Sequence, residues 1–282
     1  MNQIPGLQWN PAGYAALSGP LQTLYADIDS VFTDWAQELE AETQHFPSLI
    51  ALSDLAPIAY LQSFPQLATF ACGPSQQRQK LEEFAQRNKC ADRVQPDPEW
   101  TESSQILTPA TCYHIYPRLA GTELEQDVIL TAVCACHRRE QEYRPLQRQW
   151  CFNMRELVCI GEPDAVETFV NDCQARIESL TARLDLSASW QIATDPFFDP
   201  ARDPKALAQQ IEPVKRELTL DDGLAIASIN RHRAFFGECY EINRQGRPAH
   251  SACVAFGLER WLHALISRLG DNPATWSGVM AA

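Results

Sequence analysis

Apolar side chains recur at helical spacing from Leu21 to about Leu39, through Leu24, Tyr25, Ile28, Val31, Phe32 and Trp35. That spacing predicts a helix with one stripe for burial. A proline-marked extended piece follows at Phe46-Pro47-Ser48-Leu49-Ile50. Gln76 to Arg87 is charged and reads as a short exposed helix, and the polar stretch 91–104, with two prolines, reads as a surface loop. The pattern then changes. Val128 to Cys136 is an apolar run rich in β-branched residues and Cys, as expected of a strand covered on both faces. A charged turn from Glu140 to Gln147 and a second run, Trp150 to Ile160, complete a hairpin. Pro163 opens a helix over Asp164–Leu184, with Val166, Phe169, Val170, Ile177, Leu180 and Leu184 on one side. Short strand-like segments come next at Trp190–Ala193, Glu212–Leu220 and Ala225–Ile229. Ser251–Phe256 reads as a buried strand and Gly257–Leu269 as a closing amphipathic helix. These elements predict an α+β fold, a mostly antiparallel sheet flanked by helices, in a single domain over residues 1–282.

Composition adds exclusions. Hydrophobic residues make up 45% and charged residues 21% of the chain, ordinary globular usage that argues against disorder or a fibrous protein. The start of the chain lacks a basic segment followed by an apolar run, and no stretch approaches the roughly 18 uninterrupted apolar residues of a membrane span. The expectation is a cytoplasmic protein with no membrane partner. With 36 acidic and 23 basic residues the formal charge is −13, and no basic tail stands out, which weighs against a nucleic-acid partner. Ten cysteines are scattered without CxxC spacing, several inside apolar runs, and most read as reduced core residues.

Two places carry chemistry. The first strand of the hairpin runs into His137-Arg138-Arg139-Glu140, which by strand alternation sets Arg138 and Glu140 on one face. A guanidinium there can fork onto phosphate oxygens, the carboxylate can accept from an adenine amino group, and Phe152 on the returning strand can stack on a base. The bland alternative is a solvated charge pair at a hairpin end. In the second place, a buried strand turns at Gly257 into a helix whose first turn holds Glu259 and Arg260, an arrangement suited to a phosphate group.

Taken together, Arg-x-Glu on a hairpin with Phe on its return, then Gly257-Leu258-Glu259-Arg260, resemble motifs 2 and 3 of class II aminoacyl-tRNA synthetases. Their limits are about 127–161 and 249–269. The helix and extended piece over about 20–50 resemble a loose motif 1, with the helix expected to end at Phe46-Pro47 and to form a homodimer. Further segments are similar to the amino acid:carrier protein ligases, relatives of the zinc-dependent seryl-tRNA synthetases of methanogenic archaea. They are Leu107–Tyr113, Asn153-Met154-Arg155-Glu156, Asp195-Pro196-Phe197-Phe198, Phe235-Phe236-Gly237 and His250–Gly257.

The resemblance implies ATP and Mg2+ as well as Zn2+. Arg138 would meet the α-phosphate, Glu140 and Phe152 the adenine, and Arg260 the γ-phosphate. Cys112, Glu156 and Cys253 match the family's zinc ligands, leaving a fourth position for the amino group of a small amino acid, glycine or alanine, with serine also open. For those two thiols alone the bland reading is a pair of core cysteines, with Glu156 ending a strand in solvent. Lys215, Glu217, Asn230 and His232 fall in family-like segments without an assigned role. His137 stands where synthetases usually carry Phe or Tyr. The chain shows no appended tRNA-binding module, so the implied acceptor is the phosphopantetheine thiol of a small carrier protein rather than tRNA. A tRNA-aminoacylating enzyme and a non-catalytic synthetase paralogue are the alternatives.

Overall fold

A computed structural model describes residues 4–89, 93–94 and 100–280. Its centre is a seven-stranded sheet. In chain order the strands are β1 (Glu42–Thr43), β2 (Val128–His137), β3 (Cys151–Gly161), β4 (Ala188–Ala193), β5 (Lys215–Leu220), β6 (Ala225–Arg233) and β7 (His250–Gly257). In space they run β1-β2-β3-β7-β6-β5-β4. The short β1 is parallel to β2, and every other pairing is antiparallel. The long pair β2–β3 and its neighbour β7 are the apolar runs of the sequence. Covered on both faces, they have no solvent side to mark with polar residues.

Three helices cover one face: α1 (Pro20–Glu38), α2 (Pro163–Arg183) and α3 (Leu258–Leu269). The stripe of α1, Leu21, Leu24, Ile28, Phe32 and Ala36, is buried against this face within the chain. Phe32 stacks on Phe256 of β7 at 3.8 Å and meets Trp261 of α3 edge-on at 5.4 Å. The same helix is pinned by charge: Asp29 accepts from Arg155 Nε at 2.5 Å and from Nη2 at 2.8 Å, and Arg155 Nη1 reaches Thr131 Oγ1 at 3.1 Å. The α1 helix ends at Glu38, well short of the expected Phe46-Pro47.

Alternation along each strand sends the odd residues of β3, Arg155, Leu157 and Cys159, toward the helices, and the even ones, Met154, Glu156 and Val158, to the opposite face. On β7, Ala252, Val254 and Phe256 go to the helices while Cys253 and Ala255 go the other way. That opposite face is covered by short pieces, among them Tyr60–Ser63, Thr111–Arg118, Pro204–Ile211 and Phe235–Tyr240. They close over a second core and leave a cavity of about 410 Å³.

The helix Arg78–Arg87 buries no residue, in keeping with its charge. Of the loop expected at 91–104, residues 91, 92 and 95–99 lie outside the described set, as does Cys90; the remainder carries neither helix nor strand. The sequence reading missed a hairpin of Leu7–Asn10 with Tyr14–Leu17. Among the described residues no helix is long and apolar enough to cross a membrane.

Candidate active site

The cavity lies on the sheet face opposite the three long helices, and its floor is the set of strand positions pointing that way. Phe152, Met154 and Glu156 come from β3, Ser228, Asn230 and His232 from β6, Lys215 and Glu217 from β5, and Cys253 and Ala255 from β7.

At one place three acidic donors converge. One ligand atom each from Cys112, Glu156 and Cys253 lies within 4.8 Å of the other two. All three residues are buried, Glu156 being 1% exposed, so it does not end a strand in solvent. Sheet register brings two of them together, because β7 pairs Cys253 with Val158 and Ala255 with Glu156. Cys112 arrives on the turn Thr111–His114, which is tied to β3 twice. Thr111 Oγ1 donates to the Met154 carbonyl at 2.8 Å, and the Cys112 N–H donates to Glu156 Oε1 at 3.1 Å.

The other carboxylate oxygen, Glu156 Oε2, is buried without a hydrogen-bond partner, which costs about 1–3 kcal/mol unless something satisfies it. The hydrogen bond to Cys253, burial and the Glu156 charge together push the Cys112 thiol well above its ordinary value. For Cys253 the hydrogen bond with Cys112 pulls down, but burial and Glu156 outweigh it and the thiol is also raised. Two thiols that resist ionising beside a buried carboxylate, with one oxygen of that carboxylate orphaned, fit a divalent cation. Two thiolates and one carboxylate suit zinc and leave one tetrahedral position open. Behind them Asn230 Nδ2 donates to Cys253 Sγ at 3.3 Å and to Ser228 Oγ at 3.3 Å.

The arginines line the same cavity. The first hairpin strand stops at His137, so Arg138 and Glu140 lie beyond it in the connecting loop and do not share a strand face. Arg138 is held by its Nε donating to the Pro109 carbonyl at 2.9 Å, with its guanidinium 5.4 Å from the centre of the Phe152 ring. Arg260, in the first turn of α3, donates from Nε to the Gln147 carbonyl and from Nη1 to the Ala225 carbonyl, both at 2.9 Å. Burial and the nearby charge of Arg138 lower its proton affinity, and a bound anion would relieve that cost. Its neighbour Glu259 accepts from the Asn153 N–H at 2.9 Å and from Asn153 Nδ2 at 2.9 Å; burial raises its pKa to about 7.

The residues without an expected role find places. Lys215 Nζ lies 2.8 Å from Asp195 Oδ1 and 3.1 Å from Glu217 Oε1. Burial raises the Asp195 carboxyl, but the Lys215 charge and hydrogen bonds from Lys215 and Gln209 hold it below its ordinary value. His232 Nδ1 is 3.1 Å from both Tyr116 Oη and Ser251 Oγ, and burial lowers its pKa to about 4, a neutral imidazole at physiological pH. The period-two spacing of Lys215/Glu217 and of Ser228/Asn230/His232 was the signal that could have marked these polar positions as one face. The strands around them are too polar to be read as covered.

No family model matches the chain. Solved structures show the fold. The seryl-tRNA synthetase of M. kandleri, in complex with A. aeolicus tRNASec, superposes with a TM-score of 0.84 at 18% identity, over 98% of this chain and 57% of that one. The Giardia lamblia prolyl-tRNA synthetase bound to prolyl-adenylate superposes at 0.71 with 13% identity, over 95% and 51%. This is the class II aminoacyl-tRNA-synthetase catalytic fold, and the chain spans little more than half the length of those proteins. The type-2 serine–tRNA ligase of Methanocaldococcus jannaschii is 25% identical over 83% of this chain and 48% of its own length. Nearer in sequence is amino acid–acyl-carrier-protein ligase 1 of Bradyrhizobium diazoefficiens, 32% identical over 252 residues, 85% of this chain and 75% of that protein. Ligase 2 of the same organism matches at the same identity over 73% of its length. With a class II fold beneath it and identity sustained over three quarters of such an enzyme, the chain belongs to the amino acid–acyl-carrier-protein ligase family.

Proposed function

We propose that this protein uses ATP to activate a small amino acid, glycine or alanine, as the aminoacyl-adenylate. It then passes the aminoacyl group to the phosphopantetheine thiol of a carrier protein. The observation that carries this reading is the opening of the Cys112–Glu156–Cys253 cluster into the same cavity as two half-buried arginines. That the Bradyrhizobium relatives are amino acid–acyl-carrier-protein ligases supports a carrier protein as acceptor.

Cys112, Glu156 and Cys253 would hold zinc, which would supply a Lewis acid for a free α-amino group and so favour amino acids over plain carboxylic acids. Arg138, fixed by Pro109, meets the α-phosphate and offsets the charge that develops as the amino-acid carboxylate attacks phosphorus. Arg260, fixed by two carbonyls, holds the γ-phosphate of the departing pyrophosphate. Glu140 accepts from the adenine amino group. The adenine ring shares the Phe152 face with the Arg138 guanidinium, now 5.4 Å from that ring. Mg2+ enters with ATP as its counter-ion. The gain is chiefly one of position: the carboxylate is presented in line with the α-phosphorus by groups already locked by packing and hydrogen bonds. A homodimer formed through the α1 region completes the proposal.

The test is amino-acid-dependent exchange of labelled pyrophosphate into ATP across the twenty amino acids, with zinc determined on the same sample. Exchange with glycine or alanine, together with one zinc per chain, is expected. A folded, zinc-loaded sample silent with every amino acid would overturn the reading. Retention of label on a phosphopantetheinylated carrier protein, and not on tRNA, tests the second step.

A further inference from the structure

A polar atom in the cavity stands outside the roles given above. Tyr60 lines the cavity and is 3% exposed, and its hydroxyl has no hydrogen-bond partner. An unpaired buried hydroxyl costs on the order of 1–3 kcal/mol, and a phenylalanine there would avoid the cost. The ring is nevertheless held in one orientation. It meets Tyr113 edge-on at 5.6 Å and packs on Phe64 at 5.4 Å. The residue before it, Ala59, sits at φ 49°, ψ 44°, the left-handed region that a residue with a Cβ adopts at a cost of roughly 1–2 kcal/mol. Lys205 Nζ donating to the Ile58 carbonyl at 2.9 Å and the Ala59 N–H donating to the Ala56 carbonyl at 3.0 Å hold the backbone there. The fold thus tolerates both strain and an unsatisfied donor to keep this phenol where it is.

Its surroundings say what it faces. Arg138 and Tyr113 line the same cavity as Tyr60; burial raises the Tyr60 hydroxyl and the Arg138 charge pulls it down. Tyr113, which Tyr60 meets edge-on, adjoins Cys112 in the chain. Tyr60 therefore lines the cavity that also holds the three-donor cluster and the arginine. An amino acid bound in this cavity would bring its carboxylate to the wall that Tyr60 and Arg138 share.

We propose that Tyr60 is a substrate-binding residue whose hydroxyl donates a hydrogen bond to the carboxylate of the amino acid. This rests on the adenylation reading above. In that step one carboxylate oxygen forms the bond to the α-phosphorus. The bond from that phosphorus to the bridging oxygen breaks, and pyrophosphate leaves with the electron pair; no proton moves. Tyr60 holds the other carboxylate oxygen, so the attacking one points at phosphorus.

The experiment compares the wild-type enzyme with Tyr60→Phe, which keeps the ring packing. It measures exchange kinetics, zinc content and melting temperature, with calorimetric titration of the glycyl and alanyl sulfamoyl-adenosine analogues. Loss of one hydrogen bond to a charged group predicts a roughly ten- to hundred-fold rise in KM for the amino acid. Analogue affinity should fall by a similar factor. KM for ATP should stay within about two-fold and zinc should be unchanged, and the melting temperature should hold or rise because the unpaired hydroxyl is gone. An amino-acid KM within two-fold of wild type overturns the proposal. So does a loss shared equally by ATP, or one that tracks a lowered melting temperature. A wild-type enzyme that neither exchanges nor binds the analogues brings down the adenylation reading itself, and this proposal with it. Wild-type activity with an indifferent Tyr60→Phe brings down Tyr60 alone.

Discussion

Replacing Asp29 by alanine should unfold this protein early, because it strands a charge. Arg155 is 5% exposed and its guanidinium is spent on Asp29 through two bonds, with one further bond to Thr131 Oγ1. Removing one partner of a buried pair costs about 3–5 kcal/mol, since the remaining charge loses its compensation while its desolvation persists. Two features of this site place the value at the low end. Asp29 is about a quarter exposed, so water can enter the space it vacates, and Thr131 still satisfies one guanidinium N–H. About 3 kcal/mol is the figure to test, and for a chain of this size it lowers the melting temperature by roughly 6–12 °C. Thermal and urea denaturation of wild type, Asp29→Ala, Asp29→Asn and the double variant Asp29→Leu/Arg155→Met measure it. Asparagine keeps an acceptor and should lose about half as much. The double variant should recover most of the loss, because no charge is left buried. A loss under about 1 kcal/mol for Asp29→Ala, typical of exposed pairs, would refute the reasoning. A double variant as unstable as the single one would refute it too.

Two further outcomes are expected. Cys112→Ala should lose both zinc and amino-acid-dependent exchange; full activity in a variant that carries no zinc would sink the metal assignment. Glu259→Gln should flatten the dependence of stability on pH. The wild-type carboxyl titrates near 7 in the fold against about 4.5 when unfolded, so the folded state holds the extra proton between those values. Wild-type stability should therefore fall relative to the variant as pH rises from 5 to 8, by on the order of 1–3 kcal/mol. Urea titrations of both proteins at the two pH values measure the difference, which the argument forbids to be constant.

The elements legible in the sequence are those whose faces are uniform. β2, β3 and β7 read as apolar runs because both faces are covered, and α1, α2 and α3 read from their stripes. The β6 strand was expected to end at Ile229 but continues to Arg233, because Asn230 and His232 face the cavity and break the apolar signal. The four-residue helix Tyr60–Ser63 is too short for helical periodicity to register, and its ends are set by contacts such as Lys205 to Ile58. Tyr60 was accordingly invisible as a candidate. Arg138 and Glu140 were seen as chemistry but misplaced onto a strand, whose pairing ends at His137, one residue past the apolar run.

The metal-type cluster was legible only through resemblance, and the structure shows why spacing could not have found it. Cys112 and Glu156 lie 44 residues apart and come within hydrogen-bond distance through a turn pinned to β3. Cys253 reaches them through strand register, which no local motif encodes. A strand's alternation then gives adjacent residues opposite jobs. Arg155 turns to the helices and is tied to Asp29, while Glu156 turns to the cavity and keeps a carboxylate oxygen unpaired. A one-residue slip of β3 would put the guanidinium among the thiols and the carboxylate against Asp29, two like charges in a core. The ion pair on one face therefore holds the register on which the three-donor cluster on the other face depends, and the two features form a single constraint on this strand.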